Sequence, residues 1–518
     1  MSLLPPLTNL ASGHISFFLG IPRGELFLLF LPFVVLIAFV LFKRIIQATK
    51  HIPADDIFNR PLQAYEQALR DHGPVIGVKR KGKLEYIVNR EYTKYVFADD
   101  KSLSFEEVDI CFHSVILNLR FLLKIRGGRF YKDVDKLITS GIIPRIEAIT
   151  NKIYPIFMRH ARRLVEDGQK NNGCVDFFAH TNHSIAESML TVVMGEQCVN
   201  QRNLNIIQDM AHSIANITGI YENLSWFSRT FPRLSKFSRL LRLLFGTLIY
   251  RYFFVLGPYV WRELRNNKFE PLARSEKEHD ANESVLRYLG RMFAREDGTV
   301  SAVDTCWCMC LMLSLIFASV HQTAVVAVWV MYELASRPTY IPAIREELLA
   351  VAELQADGSH YLSYDSLRNA RLLDSFIREV MRLKGDTLGV CRQTVQDTPM
   401  GQYVIPKGHL VIPMASLSHR SREYHGQDAE VFDGFRWVER NLPAVMVGPT
   451  YFPFGMNRWA CPGRVLAVSE MKMIALTILA LADPTLEGGK YTVVDPLNTT
   501  SVQPAGKLYL TPLARPLI

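Results

Sequence analysis

The stretch from Phe452 to Arg464, FPFGMNRWACPGR, sets one cysteine in a loop bounded by glycine and proline, and an apolar periodic run, Val465 to Ala482, follows at once. That run reads as a helix. A cysteine just before a helix meets the positive end of the macrodipole and several unpaired backbone N–H groups, which lower its pKa and favour the metal-ligating thiolate. Cys461 is therefore a candidate axial ligand. For a lone cysteine the alternative is a buried structural thiol, and what separates the two lies elsewhere in the chain.

Three further constellations bear on that choice. Glu379 and Arg382, spaced by three, share one face of a helix, where the carboxylate can hold the guanidinium in a forked pair. Such a pair is common on any solvated helix. Phe317 to Thr323 (FASVHQT) lies inside a long apolar helical pattern running from about Asp304 to Ser336. It places two small residues, Ala318 and Ser319, beside His321, Gln322 and Thr323; a satisfied core histidine is the plain reading of His321. Phe432 to Trp437 (FDGFRW) brings a further arginine, Arg436.

In this order the segments resemble the cytochrome P-450 family, the haem-thiolate monooxygenases. Phe454, Cys461 and Gly463 match the family's ligand loop, F-x-x-G-x-[RH]-x-C-x-G, at the right spacing. Asn457 stands where the family has glycine, and asparagine is the non-glycine residue most tolerant of positive φ. Trp459 stands where an arginine or histidine reaches a haem propionate; its indole donates one hydrogen bond and brings no charge. The resemblance assigns that charge to Arg392, leaves Lys132 and Lys136 as weak candidates for the helix residue that contacts the other propionate, and lines the pocket above the haem with Leu388, Gly389 and Val390. It makes Glu379, Arg382 and Arg436 a buried structural network, with Gly434 in place of a frequent proline. Ala318 to Thr323 match the oxygen-binding segment, [AG]-G-x-[DE]-T-[TS], except that His321 takes the acidic position and Gln322 that of the usual catalytic threonine. In the family a hydroxyl and an acid relay protons to dioxygen. Glutamine cannot donate and recover a proton in that way, but its amide can hold a water that does.

The resemblance implies a mainly α fold with small β-sheets (α+β), haem b (iron protoporphyrin IX) as cofactor, and electrons from NADPH through a cytochrome reductase. It is closest to fungal secondary-metabolism members, so the expected substrate is a lipophilic small molecule of terpenoid or meroterpenoid class. A haem-thiolate isomerase, dehydratase or rearranging enzyme that needs no reductase is the first alternative, kept open by Gln322. A non-enzymatic haem-binding protein is the remote one.

Composition agrees. The chain has 518 residues, with no Gly/Ser linker or internal repeat after residue 60, so one catalytic domain over 61–518 is the simplest account. Its net charge of +9 suits an anionic membrane surface or an acidic redox partner, and the scattered Lys and Arg residues argue against nucleic acid. Residues 26–42 are uncharged and apolar, long enough for a thin bilayer such as the endoplasmic reticulum at about 1.5 Å per residue. They read as a transmembrane helix after a short lumenal N-terminus, 1–25, and before a basic and polar link, 43–60. Lys43, Arg44 and Lys50 place the catalytic domain on the cytosolic side. The eight cysteines show no disulfide framework, and Cys306, Cys308 and Cys310 read as small hydrophobes at a helix start. Residues 224–262, rich in Trp, Phe, Leu and Arg, are either a membrane-dipping face or core. Leu84 to Val88 reads as a strand and Val404 to Pro413 as a hairpin about a Pro-Lys-Gly turn.

Overall fold

The computed structural model describes residues 57, 59–80, 83–98, 101–105, 128–217, 226–272, 282–356 and 358–518. The expected membrane span over 26–42 and the tail before it lie outside these residues, as does most of the 43–60 link.

Helices dominate. α1 (Pro61–His72) and α2 (Thr93–Ala98) accompany the first strands, and α3 (Ile146–Lys170), α4 (Phe177–Met194) and α5 (Gln201–Ile217) form a layer on one side. α6 (Ala302–Ser336), α7 (Arg371–Leu383) and α8 (Arg464–Leu481) make up the centre. α6 has 35 residues, about 52 Å of helix. Ser301 caps its start by accepting from the Asp304 N–H at 3.0 Å, and Pro338 follows its end. It is long and apolar enough to cross a membrane, yet two-thirds of its most apolar window is buried in the protein. A helix apolar on every side belongs inside a core, and α6 packs against α4, α5 and α8. α8 obeys the same rule: from Leu466 to Leu481 every residue but Ala467 is buried.

The strands β1 (Val75–Arg80), β2 (Lys83–Val88), β3 (Leu103–Ser104), β4 (Cys174–Val175), β5 (Arg392–Thr394), β6 (Thr398–Met400), β7 (Tyr403–Ile405), β8 (Leu410–Pro413), β9 (Ala482–Leu486) and β10 (Leu508–Pro512) build small sheets. One has five strands in the order β1-β2-β8-β5-β3 and another three, β9-β10-β4. β2 contains the expected Leu84 to Val88 strand.

The expected hairpin over 404–413 does not form. β7 pairs back onto β6, with Val404 opposite Pro399, while β8 runs parallel to β2, with Val411 opposite Tyr86, and antiparallel to β5. All four residues of β8 are buried. A fully apolar strand gains most as a central strand with both edges paired, which a two-stranded ribbon at the surface cannot offer. The turn residues instead anchor β5: Thr394 Oγ1 donates to the Pro406 carbonyl at 2.7 Å, and the Gly408 N–H to the Thr394 carbonyl at 2.8 Å.

One buried acid on α8 gives a pH test of the core. Burial pushes the Glu470 carboxyl up to about 8, opposed by a hydrogen bond from Ser188 Oγ at 3.1 Å. The folded chain keeps a proton that the unfolded chain releases above its ordinary range, so this group's contribution is intact at low pH and is lost as pH rises from about 4.5 towards 8. Glu470→Gln is expected to remove that component: thermal melts of the parent fall between pH 5 and 8, and the variant's fall less, with the gap widest at the alkaline end.

Candidate functional site

The site is built around the loop that carries Cys461. The Cys461 N–H donates to the Phe454 carbonyl at 2.7 Å, closing a turn that runs through Gly455 and Asn457. Asn457 adopts φ +58°, the left-handed conformation expected of it, and its side chain donates to the Phe97 carbonyl at 3.3 Å. Arg464, the first residue of α8, donates from Nη1 to the Cys461 carbonyl at 2.8 Å and from Nε to the Val445 carbonyl at 3.2 Å. A side chain added at Gly463 would begin 3.9 Å from Cys461 Sγ.

The thiol's acidity departs from expectation. Cys461 keeps an exposed surface, yet the protein packed round it partly desolvates the thiolate and pushes its pKa up, and hydrogen bonds from the Gly463 and Arg464 backbone together with the Arg464 charge only partly offset this. The helix start acts in the anticipated direction, but desolvation of the thiolate is the larger effect. A bound cation is the remaining force that can take the proton, since a metal deprotonates a coordinating thiol outright.

Behind the loop lies the Glu379 network. Arg382 donates to both oxygens of Glu379, at 2.8 and 2.7 Å, and both side chains are fully buried. Arg436 Nε reaches Glu379 Oε1 at 3.3 Å, Trp437 Nε1 donates to Oε2 at 3.0 Å, and the Asp433 N–H to Oε1 at 3.2 Å. Gly434 fits because a Cβ there would come 2.6 Å from the Phe376 ring. The network continues to the loop. Arg382 Nη1 donates to the His419 carbonyl at 2.7 Å, and His419 Nε2 accepts the Phe452 N–H at 3.0 Å. Burial holds the His419 ring down at about 3, so it stays neutral and can accept.

From Leu311 to Ala335, the part of α6 that expectation places at the site, Ala318 and Gln322 are the exposed residues, one turn apart, with Ser319 half-buried between them. Ser319 Oγ donates to the Leu315 carbonyl of its own helix at 2.7 Å. His321 points elsewhere: it is buried, and its Nε2 lies 3.0 Å from the Ser501 carbonyl. Burial also lowers its pKa. Thr323 is buried as well. Of the five residues expected along this segment, Ala318 and Gln322 are therefore the ones most open to a ligand.

Arg392, in β5, is buried with its guanidinium over the rings of Phe97, at 4.9 Å, and Phe105, at 5.1 Å. Phe105 in turn lies against Trp459, with centroids 5.1 Å apart. A cationic group thus sits one ring away from the neutral Trp459. Lys132 and Lys136 are exposed. Leu388 is buried and Val390 exposed, while Gly389 donates its N–H to the Pro413 carbonyl at 2.8 Å and a Cβ on it would press the Phe452 ring at 3.1 Å.

A family model for cytochrome P450 matches residues 50–490. The chain belongs to the cytochrome P450 family. It is 31% identical over 196 residues to cytochrome P450 monooxygenase 3 of Gibberella fujikuroi, covering 34% of this chain and 37% of that one. It is 32% identical over 187 residues to cytochrome P450 monooxygenase ltmQ of Epichloe festucae var. lolii, covering 34% of each. Abscisic acid 8'-hydroxylase 2 of Oryza sativa subsp. indica is 29% identical over 188 residues, 36% of each chain. The matched stretch thus spans little more than a third of these relatives. A retinoic acid bound cyanobacterial CYP120A1 shares the fold at a TM-score of 0.61 and 16% identity, covering 89% of this chain and 96% of that one.

A cytochrome P450 implies haem, and the residues present fit it. Cys461 is exposed at the mouth of a rigid loop, α6 offers small and exposed positions at Ala318 and Gln322, and Arg392 supplies a buried cation beside the loop. Sequence reasoning did not find His419, Trp437 or Arg378. Arg378 pins the segment before the loop, donating to the Pro443 and Met446 carbonyls at 2.7 and 2.8 Å with its guanidinium 3.7 Å from the centre of the Tyr451 ring. Arg378 lies on the same helix as Glu379 and one residue from it, a signal available in the sequence; the carbonyl partners come from loops that carry no pattern.

Arg392→Ala is expected to speed haem loss more than Arg458→Ala, because Arg458 is exposed and stacks on the outer ring of Trp459 at 4.9 Å. A charge-assisted hydrogen bond is worth about 1.5–3 kcal/mol, or about tenfold or more in the rate. Transfer of haem to apomyoglobin measures it, and equal rates in the two variants would remove Arg392 from the propionate.

Proposed function

We propose that this cytochrome P450 is a haem-thiolate monooxygenase that inserts one atom of dioxygen into a lipophilic secondary metabolite, of terpenoid or meroterpenoid class. In this reading Cys461 is the axial ligand, Arg392 and the Trp459 indole hold the propionates, and Leu388, Gly389 and Val390 border the substrate. Haem, when bound through a thiolate, supplies oxygen activation. The observation that carries the reading is an exposed cysteine just before α8, a helix packed against α6, together with the exposed Ala318 and Gln322 in the mostly buried middle of α6.

Electrons would come from NADPH through a membrane-bound cytochrome reductase. The catalytic domain, 61–518, would face the cytosol from an endoplasmic reticulum anchor at 26–42. A second apolar surface supports membrane association: Trp226, Tyr250 and Phe254 are 73%, 64% and 69% exposed, and Leu234, Phe237 and Phe245 are exposed beside them. This favours the membrane-facing reading of 224–262 over the core one.

Proton supply within the pocket falls to Gln322. His321 is turned to Ser501, and the Ser319 hydroxyl is engaged by its own helix. The Gln322 amide is left to position a water beside the ligand. The same observation favours, as second reading, a rearranging or dehydrating haem-thiolate enzyme, which needs no proton relay and no reductase.

The deciding measurement is the difference spectrum of the reduced, carbon monoxide-bound protein. A strongly red-shifted Soret band is expected for the parent and its loss for Cys461→His; the same band in both would remove Cys461 as ligand. Turnover that requires NADPH and reductase supports the monooxygenase, and turnover without them the second reading. Gln322→Thr is expected to leave folding and the carbon monoxide band intact and to raise, by about twofold or more on the scale of a general acid–base effect, the fraction of NADPH electrons recovered in product. An unchanged fraction would place proton delivery elsewhere.

A further inference from the structure

α3 and α4 bring together a set of side chains that the cytochrome P450 site does not use. His180, His183 and Glu187 follow at intervals of three and four on one face of α4, and His160 faces them from α3. The His160 ring lies 5.5 Å from that of His180 and 5.3 Å from that of His183. His160 Nε2 is 2.6 Å from Glu187 Oε2, and the other Glu187 oxygen pairs with Arg159.

We propose that His160, His183 and Glu187 form a binding site for a divalent first-row transition ion, zinc in the first place, that clamps α3 to α4. One ligand atom from each lies within 4.8 Å of the others. Two imidazole nitrogens and a carboxylate oxygen are a zinc donor set, with bonds of about 2.0–2.2 Å and neighbouring ligand atoms about 3.3 Å apart in a tetrahedron. Rotation about the side-chain bonds closes the difference. The metal takes the place of the His160–Glu187 hydrogen bond, with the imidazole proton moved to Nδ1, and the fourth position goes to His180 or to water.

Two imidazoles and a carboxylate bring a single formal charge, and His160 and Glu187 are buried between the two helices. Gln208 of α5 hydrogen-bonds the His183 side chain, an outer partner that would fix the ring's orientation. Arg159 and Arg163 oppose a cation; Arg159 engages the far oxygen of Glu187 and leaves Oε2 to the cluster. The neighbouring Ser188 donates to Glu470 of α8, so a clamp here braces the helix that begins at the cysteine loop.

The test uses the haem-loaded full-length protein in detergent, stripped with chelator, incubated with zinc chloride and desalted. Metal analysis is expected to give about one zinc per haem, with a thermal transition raised over the stripped protein. His183→Gln, at a half-buried position, and His160→Gln are expected to lower zinc affinity by about tenfold or more and to abolish the rise. His360→Gln, outside the cluster, is expected to change neither. If His160→Gln does not fold, His183→Gln carries the test alone, its carbon monoxide band certifying the fold. Zinc bound equally by parent and His183→Gln, or no zinc retained by the parent, overturns the site.

Discussion

The fold of the catalytic side depends on one charge with no access to water. Glu379 is wholly buried, and an ionised carboxylate there is tolerable only because Arg382, Arg436, the Trp437 indole and the Asp433 N–H surround it. Removing one partner of such a set leaves an uncompensated charge, a loss of about 3–5 kcal/mol. That magnitude makes the set a register device. The chain from Asp433 to Trp437 and the helix α7 can meet in only one way, and everything between that segment and the cysteine inherits the register.

The inheritance can be followed bond by bond. Arg382 spends its remaining donors on the carbonyls of His419 and Ala429, which fixes the backbone around His419. The neutral His419 ring accepts the Phe452 N–H, and two residues later the Phe454 carbonyl accepts the Cys461 N–H. From the far side, Asp374 of α7 accepts the Ala444 N–H at 2.6 Å and pairs with Lys472 of α8 at 2.7 Å. The sulfur is thus located from both ends by groups that never touch it. A metal ligand held this way can bind without first being ordered, which is the condition for preorganised coordination.

The parts legible in sequence were those whose signal is local. The run 465–482 is helix from Arg464 to Leu481, the Asp304 to Ser336 pattern is helix from Ala302, and Asn457 takes positive φ, because periodicity and backbone preference are properties of a few consecutive residues. The hairpin at 404–413 failed because pairing is not local: β8 is drawn between β2 and β5 by partners more than 300 residues away in one case. For His321 two readings stood open in the sequence, a pocket residue and a satisfied core histidine. Its place in the segment suggested a pocket residue, while the loop that supplies the Ser501 carbonyl lies 180 residues on and carries no motif.

The Cys461 thiol shows how a correct mechanism can still give the wrong sign. A helix start does lower a cysteine's pKa, and the Gly463 and Arg464 N–H groups act on this one. What the sequence could not weigh was burial, which for a thiolate acts in the opposite direction and is larger here. The consequence bears on how cofactor and protein assemble. A thiol whose surroundings favour the protonated form carries no unpaired anion before the metal arrives. Ligation by Cys461 would then release a proton, which would tie the affinity for the cofactor to pH and make binding itself part of the stability of the loop.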